Sequence, residues 1–201
     1  MKQLTLGLAL LLSVLLGSAA RADGKQPLSA ISAYLNGLTT AQATFTQIND
    51  DGSRSTGRLY IHRPGRMRFE YDPPDSAVVL AGAGAVVIRD PKSNQPPESY
   101  PLNRTPLSII LAAKVDLGRA GMVTGHGWDG NYTIVRAQDP DNPDSGSIDL
   151  MFSGDPVALD RWVVTDASGA KTTVILGALE TGMRLDPFLF NTQAGSNRSN
   201  R

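Results

Sequence analysis

The side chains with chemical potential in this chain are few, and most stand in patterns that lead to no reaction. His62 falls on the polar parity of a strand, and His126 sits between Gly125 and Gly127 in what reads as a loop. Neither has a carboxylate at metal-ligand spacing, and the chain has no HExxH or GxSxG pattern, so both histidines are expected to be solvated. Asp139, Asp141 and Asp144 crowd one loop with Pro140 and Pro143. That loop lacks the glycine and terminal glutamate of a calcium loop and reads as a solvated turn. Gly82-Ala83-Gly84 is too short for a phosphate cradle and opens no helix. Glu70 and Asp72 share the outward face of one strand, where cross-strand pairing with arginines accounts for them without acid–base work. Trp128 and Trp162 are expected in the core or at its rim.

Arg63 is the exception. The run from Gly57 to Pro74 reads GRLYIHRPGRMRFEYDPP, two alternating arms around a Pro64-Gly65 turn, the pattern of a β-hairpin. Met67, Phe69 and Tyr71 point one way, while Arg66, Arg68, Glu70 and Asp72 point the other, as a strand with one apolar and one wet face requires. Arg63 continues the apolar parity of Leu59 and Ile61. A cation there is costly unless something pairs with it.

The elements that must position this hairpin are mostly strands. Leu28, Ile31, Leu35 and Leu38 recur at helical spacing, so Pro27 to Leu38 reads as one amphipathic helix ending near Gly37. A strand is expected over Ala43 to Ile48, followed by a turn at Asp51-Gly52. Ala77 to Ala81 and Ala85 to Ile88 have strand length, and Asp90 to Pro97 is a loop. Thr105-Pro106 reads as an N-cap hydroxyl followed by proline at the first helical position. It would open a short helix, Leu107 to Ala113, that is apolar nearly all round through Ile109, Ile110 and Leu111. Strands are then expected over Asn131 to Val135, Ser147 to Phe152, Leu159 to Thr165 and Lys171 to Leu176, separated by turn residues. Consecutive hairpins with two lone helices predict a mainly β fold, a large curved antiparallel sheet with helices over one face.

Composition sets the compartment. Lys2, the apolar run Leu4 to Leu16 and the small-x-small site Ala20-Arg21-Ala22 read as a secretory signal peptide over residues 1–22. The apolar run is too short for a membrane span. Removing it lowers the 19 basic residues by Lys2 and Arg21, to 17 against 19 acidic, which leaves no electrostatic footprint for nucleic acid. With no cysteine, the chain has neither a disulfide framework nor a site for lipid attachment after the apolar run. About 180 residues then remain, enough for one domain with a sizeable core over 23–192. The polar, aperiodic tail 193–201 is expected to be disordered.

The hairpin and its surroundings resemble the LolA-type outer-membrane lipoprotein carriers. The resemblance lies in Ala43-Thr44-Phe45-Thr46-Gln47, Gly57-Arg58-Leu59, Arg63-Pro64, the aromatic second arm to Tyr71, Pro74 and Thr105-Pro106-Leu107. Leu159, Val163, Asp166 and Gly169 add to it. Membership would imply an incomplete antiparallel β-barrel whose concave apolar face is covered by helices. It would imply a monomeric periplasmic carrier with no catalytic role and no cofactor. Such a carrier binds the acyl chains of lipoproteins, receives them from an inner-membrane ATP-driven lipoprotein-releasing transporter and delivers them to an outer-membrane acceptor. The resemblance places a lid latch on Arg63. The expected acyl-chain wall is Phe45, Leu59, Ile61, Met67, Phe69, Tyr71, Leu107, Ile110 and Leu111. Arg89 stands where the family more often has an aromatic, which leaves open another exported binder of lipids or glycolipids, or an envelope-stress sensor of the same fold.

Overall fold

A computed structural model of the chain describes residues 24–192; the expected signal peptide and tail lie outside them. The first element among the described residues is a helix, α1 (Leu28–Gly37), whose Ile31 and Leu35 are buried one turn apart. Five strands follow: β1 (Thr40–Ile48), β2 (Arg54–His62), β3 (Arg66–Tyr71), β4 (Val78–Gly82) and β5 (Ala85–Arg89). After β6 (Glu98–Pro101) and a 3-10 turn comes α2 (Leu107–Leu111). The second half supplies β7 (Val123–Trp128), β8 (Tyr132–Ala137), β9 (Ser147–Ser153), β10 (Ala158–Thr165), β11 (Lys171–Leu176) and the two-residue β12 (Glu180–Thr181).

All twelve strands join one antiparallel sheet in the order β6-β5-β4-β3-β2-β1-β11-β10-β9-β8-β7, with β12 beside β1. The sheet is open, its edges being β6 and β7. It is also strongly curved. Phe69 on β3 and Trp162 on β10 lie four strands apart, about 19 Å on a flat sheet, yet their ring centroids are 6.4 Å apart. The fold is therefore the incomplete β-barrel expected. The inner face forms one buried cluster with the two helices, from Ile31 and Leu35 of α1 to Ile109, Ile110 and Leu111 of α2. No helix among the described residues is long and apolar enough to cross a membrane.

Register follows the period of two. Leu59 pairs Phe69 and Ile61 pairs Met67 across the hairpin, all facing inward. Glycine is required at Gly57, opposite Tyr71 and next along the inner face from Leu59. A Cβ there would strike the Glu70 carbonyl and come within 2.9 Å of the Phe45 ring. The outer face carries a smaller cluster, Leu80 with Leu185 and Phe190, flanked by Tyr60, Val78, Met183 and Leu189. The C-terminal segment after β12 lies across this patch as a strap.

Four local expectations fail. His126 lies in β7, not a loop, and its Nε2 is 2.9 Å from the Gln26 carbonyl. His62 is half-buried under the strap rather than solvated, its ring 5.7 Å from that of Phe190. Glu70 pairs at 2.7 Å with Arg68 of its own strand, not across strands, and Asp72 accepts from Thr56. Finally, Thr105 caps nothing. Its hydroxyl donates back to the Leu102 carbonyl at 2.8 Å inside the preceding 3-10 turn, and Pro106 takes the cap position of a helix that ends at Leu111.

Candidate functional site

Arg63 directly follows β2, on its inward parity, and is 9% exposed. Its Nη2 donates to the carbonyl of Ala112, just past α2, at 2.6 Å. Beside it, the Gly65 amide donates to the Leu111 carbonyl at 2.8 Å. The last carbonyls of a helix have no partner within it, so the hairpin turn satisfies what α2 leaves open. Arg63 Nε is buried and unpartnered among the described residues, and burial pulls the guanidinium below its ordinary value. Arg63 thus ties the sheet to the helical layer but is incompletely satisfied there.

The helical layer is itself tied together. The Asn36 side chain exchanges two hydrogen bonds of 2.8 Å with the backbone of Val115, and the Leu117 amide donates to Ser32 Oγ at 3.1 Å. Leu159 N–H donates to Tyr34 Oη at 3.1 Å, and the Tyr34 ring meets Phe152 edge-on. Hence α1 and the segment following α2 share backbone-to-side-chain bonds, while Gly65 and Arg63 hold the end of α2 and the residue after it from the sheet side.

At the opposite end of the hairpin the inner face opens into a cleft of about 530 Å³, within the range of small-molecule sites. Its walls are Phe69, Tyr71, Val79, Leu107, Trp162, Val164 and Val174, with Gln47, Arg104, Ser145, Asp166 and Thr172 among the polar groups around it. Behind the wall, Phe45 meets Phe69 and Tyr71 edge-on at 5.1 and 5.2 Å. Tyr71 Oη donates to Gln47 Oε1 at 2.6 Å, and burial pushes its phenol up to about 12 against the lowering effect of that bond. It stays protonated and polar in an otherwise apolar wall.

All nine expected wall residues belong to the one inner cluster, but they divide by position. Phe69, Tyr71 and Leu107 line the cleft. Phe45, Leu59, Ile61, Met67, Ile110 and Leu111 are buried behind or beyond it. Val79, Trp162, Val164 and Val174 were not singled out. Their alternation on β4, β10 and β11 was readable, but not that β4 would pair with β3 or that the curl would bring β10 and β11 opposite it. Groups of three or more potential metal ligands are absent among the described residues.

The fold and the cleft define a class: an open, curled antiparallel sheet, helices across its inner face, and a ligand-sized apolar recess at one end. Residues 36–193 match the family of the outer membrane lipoprotein carrier protein LolA, and the chain belongs to that family. It is similar to an outer-membrane lipoprotein carrier protein of Methylococcus capsulatus, 27% identical over 183 residues that cover 87% of this chain and 86% of the relative. A carrier protein of the same description from Leptothrix cholodnii is 27% identical over 172 residues, covering 81% and 77%. A domain from Vibrio parahaemolyticus described as an outer membrane lipoprotein-sorting protein superposes with a TM-score of 0.51 at 11% identity. It covers 83% of this chain and 96% of that domain; that likeness concerns the fold alone.

Proposed function

We propose that this chain is a periplasmic lipoprotein carrier, without catalytic activity, that holds lipoprotein acyl chains against the inner face of its half-barrel. It takes them from an ATP-driven transporter in the inner membrane and hands them to an acceptor at the outer membrane. The observation that carries this reading is the apolar cleft walled on one side by Leu107, the first residue of α2. The carbonyl at the far end of the same helix is held from the sheet through Gly65, and the next through Arg63. A short helix is thus both cavity wall and latched element.

Magnitudes favour a carrier over free diffusion. Three acyl chains hold about forty methylenes, and at ~0.8 kcal/mol each their exposure to water would cost some tens of kcal/mol. A carrier must cover them and still release them. Loading would break the Arg63–Ala112 bond and uncover the apolar side chains of α2, and the incoming chains would cover the sheet in their place. Unloading would restore the bond. Arg63 is therefore proposed as the latch that keeps the loaded state from becoming too stable.

The test is release of lipoproteins from spheroplasts. The wild-type protein is expected to bring triacylated lipoproteins into solution and pass them to outer membranes. Arg63→Leu is expected to load but to deliver several-fold less. Absence of lipoprotein release by the wild-type protein would overturn the carrier reading; equal delivery by both proteins would remove the latch from it.

A further inference from the structure

The strap on the outer face covers a histidine that has no place for a second proton. Leu185 and Phe190 of the strap are buried against Leu80, with Tyr60 and Val78 beside them. Under Phe190 lie two groups of the hairpin. The His62 ring is 5.7 Å from that of Phe190, and the Arg66 guanidinium carbon is 6.0 Å from it. The two face each other across β2 and β3, with Arg66 Nη2 3.1 Å from His62 Nε2. A guanidinium has only donors, so Nε2 accepts and the imidazole is neutral. A second proton has to go on Nε2. There it replaces a hydrogen bond by two donors, and a neutral contact by two cations.

The neighbouring charges do not offset that cost. β1 and β4 carry no charged residue. The outward face of β2 adds Arg54, Arg58 and the Tyr60 phenol, and that of β3 adds Arg66, Arg68 and Glu70. Glu70 is engaged by Arg68. β12 brings Glu180, which accepts from Gln42 Nε2 at 2.6 Å. The strap itself brings Arg184 and Asp186, and Asp186 accepts from the Phe188 amide. Burial, and after it the Arg66 charge, disfavour the imidazolium where it stands. A buried cation without a counter-charge needs water, and Phe190 is what keeps water away.

We propose that the strap is an acid-released cover: a second proton on His62 is accommodated only when Phe190 lifts away, so mild acid bares the outer patch around Leu80 while the half-barrel stays folded. The release is local because the inner cluster, from Ile31 to Trp162, includes neither His62 nor Phe190. The Gly182 amide, which donates to the Thr40 carbonyl at 3.0 Å, keeps the start of the strap on β1. What lifts is the stretch that Arg68 holds at the Leu189 carbonyl and Arg89 at the Thr192 carbonyl. The surface then bared, Tyr60, Val78 and Leu80, is apolar and open to another apolar surface. The device does not depend on what the inner face carries.

Hydrogen exchange on the full protein, read by mass spectrometry from about pH 8 to about pH 5, covers the range in which a histidine changes charge. Rates are corrected for the pH dependence of free amides. In wild type the strap amides from Met183 to Asn191 are expected to lose protection as pH falls, by at most about tenfold per pH unit, the limit for one linked proton. Amides of β9 should keep theirs. His62→Gln cannot take the proton, and its strap protection should stay constant within about twofold over the same range. Phe190→Ala should leave the strap open at every pH, with no further loss in acid. Wild-type strap protection that does not change with pH would overturn the proposal. So would an equal acid loss in His62→Gln, or loss from β9 in step with the strap, which is unfolding of the whole barrel.

Discussion

The sheet has two apolar faces with covers, and the covers are built alike. Inside, α2 shares one buried cluster with Ile61 and Met67 and is held by a guanidinium on a carbonyl, Arg63 on Ala112. Outside, the strap lies on Leu80 and is held by Arg68 on the Leu189 carbonyl at 3.1 Å and by Arg89 on the Thr192 carbonyl. The difference lies in what each leaves over. The outer cover buries Leu185 and Phe190, with Asp186 accepting from the Phe188 amide at 2.9 Å to close the last turn. The recess beside it is lined by Asp90, Ser93, Gln95 and Glu98 as well as Val78 and Ile88. The inner cover leaves a cleft walled mainly by aromatic and branched apolar side chains, and each cover leaves one buried nitrogen without a partner among the described residues, Arg63 Nε inside and His62 Nδ1 outside. An arginine on a carbonyl is therefore no sign of function by itself. Beside a recess walled mainly by aromatic and branched apolar side chains, it becomes one.

That contrast can be broken by substitution. The largest effect is expected outside. Phe190→Ala empties a packed site and should cost about 3 kcal/mol in urea unfolding, with lipoprotein loading per folded molecule unchanged. Inside, Val164→Ala widens a space that is already open and should cost less than about 1 kcal/mol. If Val164→Ala proved the more costly, the inner face would be the better packed of the two and the contrast would be reversed.

A smaller effect comes with pH. Arg66 has only donors, so its Nη2, 3.1 Å away, must donate to a neutral His62 Nε2. Nδ1 then carries the proton and is buried without a partner among the described residues. Burial, and after it the Arg66 charge, hold the imidazole below its ordinary value of 6.5. The unfolded chain then binds more protons than the folded one in the window below 6.5. Stability should be full above that value and fall as pH drops from it toward the folded value. Thermal unfolding at a series of pH values should show this loss in wild type and a weaker one in His62→Gln. Least of all, Arg136→Ala removes an arginine that grips Asp149 at 2.7 Å on exposed surface. It should cost under about 1 kcal/mol and set the scale for an arginine in water.

The hairpin was legible because alternation, Pro64-Gly65 and the misplaced cation all lie within a few residues of one another. The strands from β8 to β11 were legible for the same reason, each bounded by its own turn. What escaped was non-local or aperiodic. β6 has four exposed residues and no alternation, and β7 is interrupted by Gly125 and Gly127. The strap has no periodicity, so nothing near His62 announced that Phe190 would cover it. The cleft was half legible. Phe69, Tyr71 and Leu107 were expected from the hairpin and helix, but Trp162 and Val174 join them only because β1 pairs with β11 and closes the curl. Thr105 misled because its hydroxyl found an earlier carbonyl before it could cap a helix.

The central claim is that acyl chains occupy the inner face of the half-barrel and not the outer. A photoreactive amino acid introduced at Val164, on the cleft wall, or at Leu189, on the strap, tests it most directly when the protein is loaded with lipoprotein from spheroplasts. Crosslinking to the lipoprotein acyl chains is expected at 164 and none at 189. Crosslinks at 189 with none at 164 would contradict it.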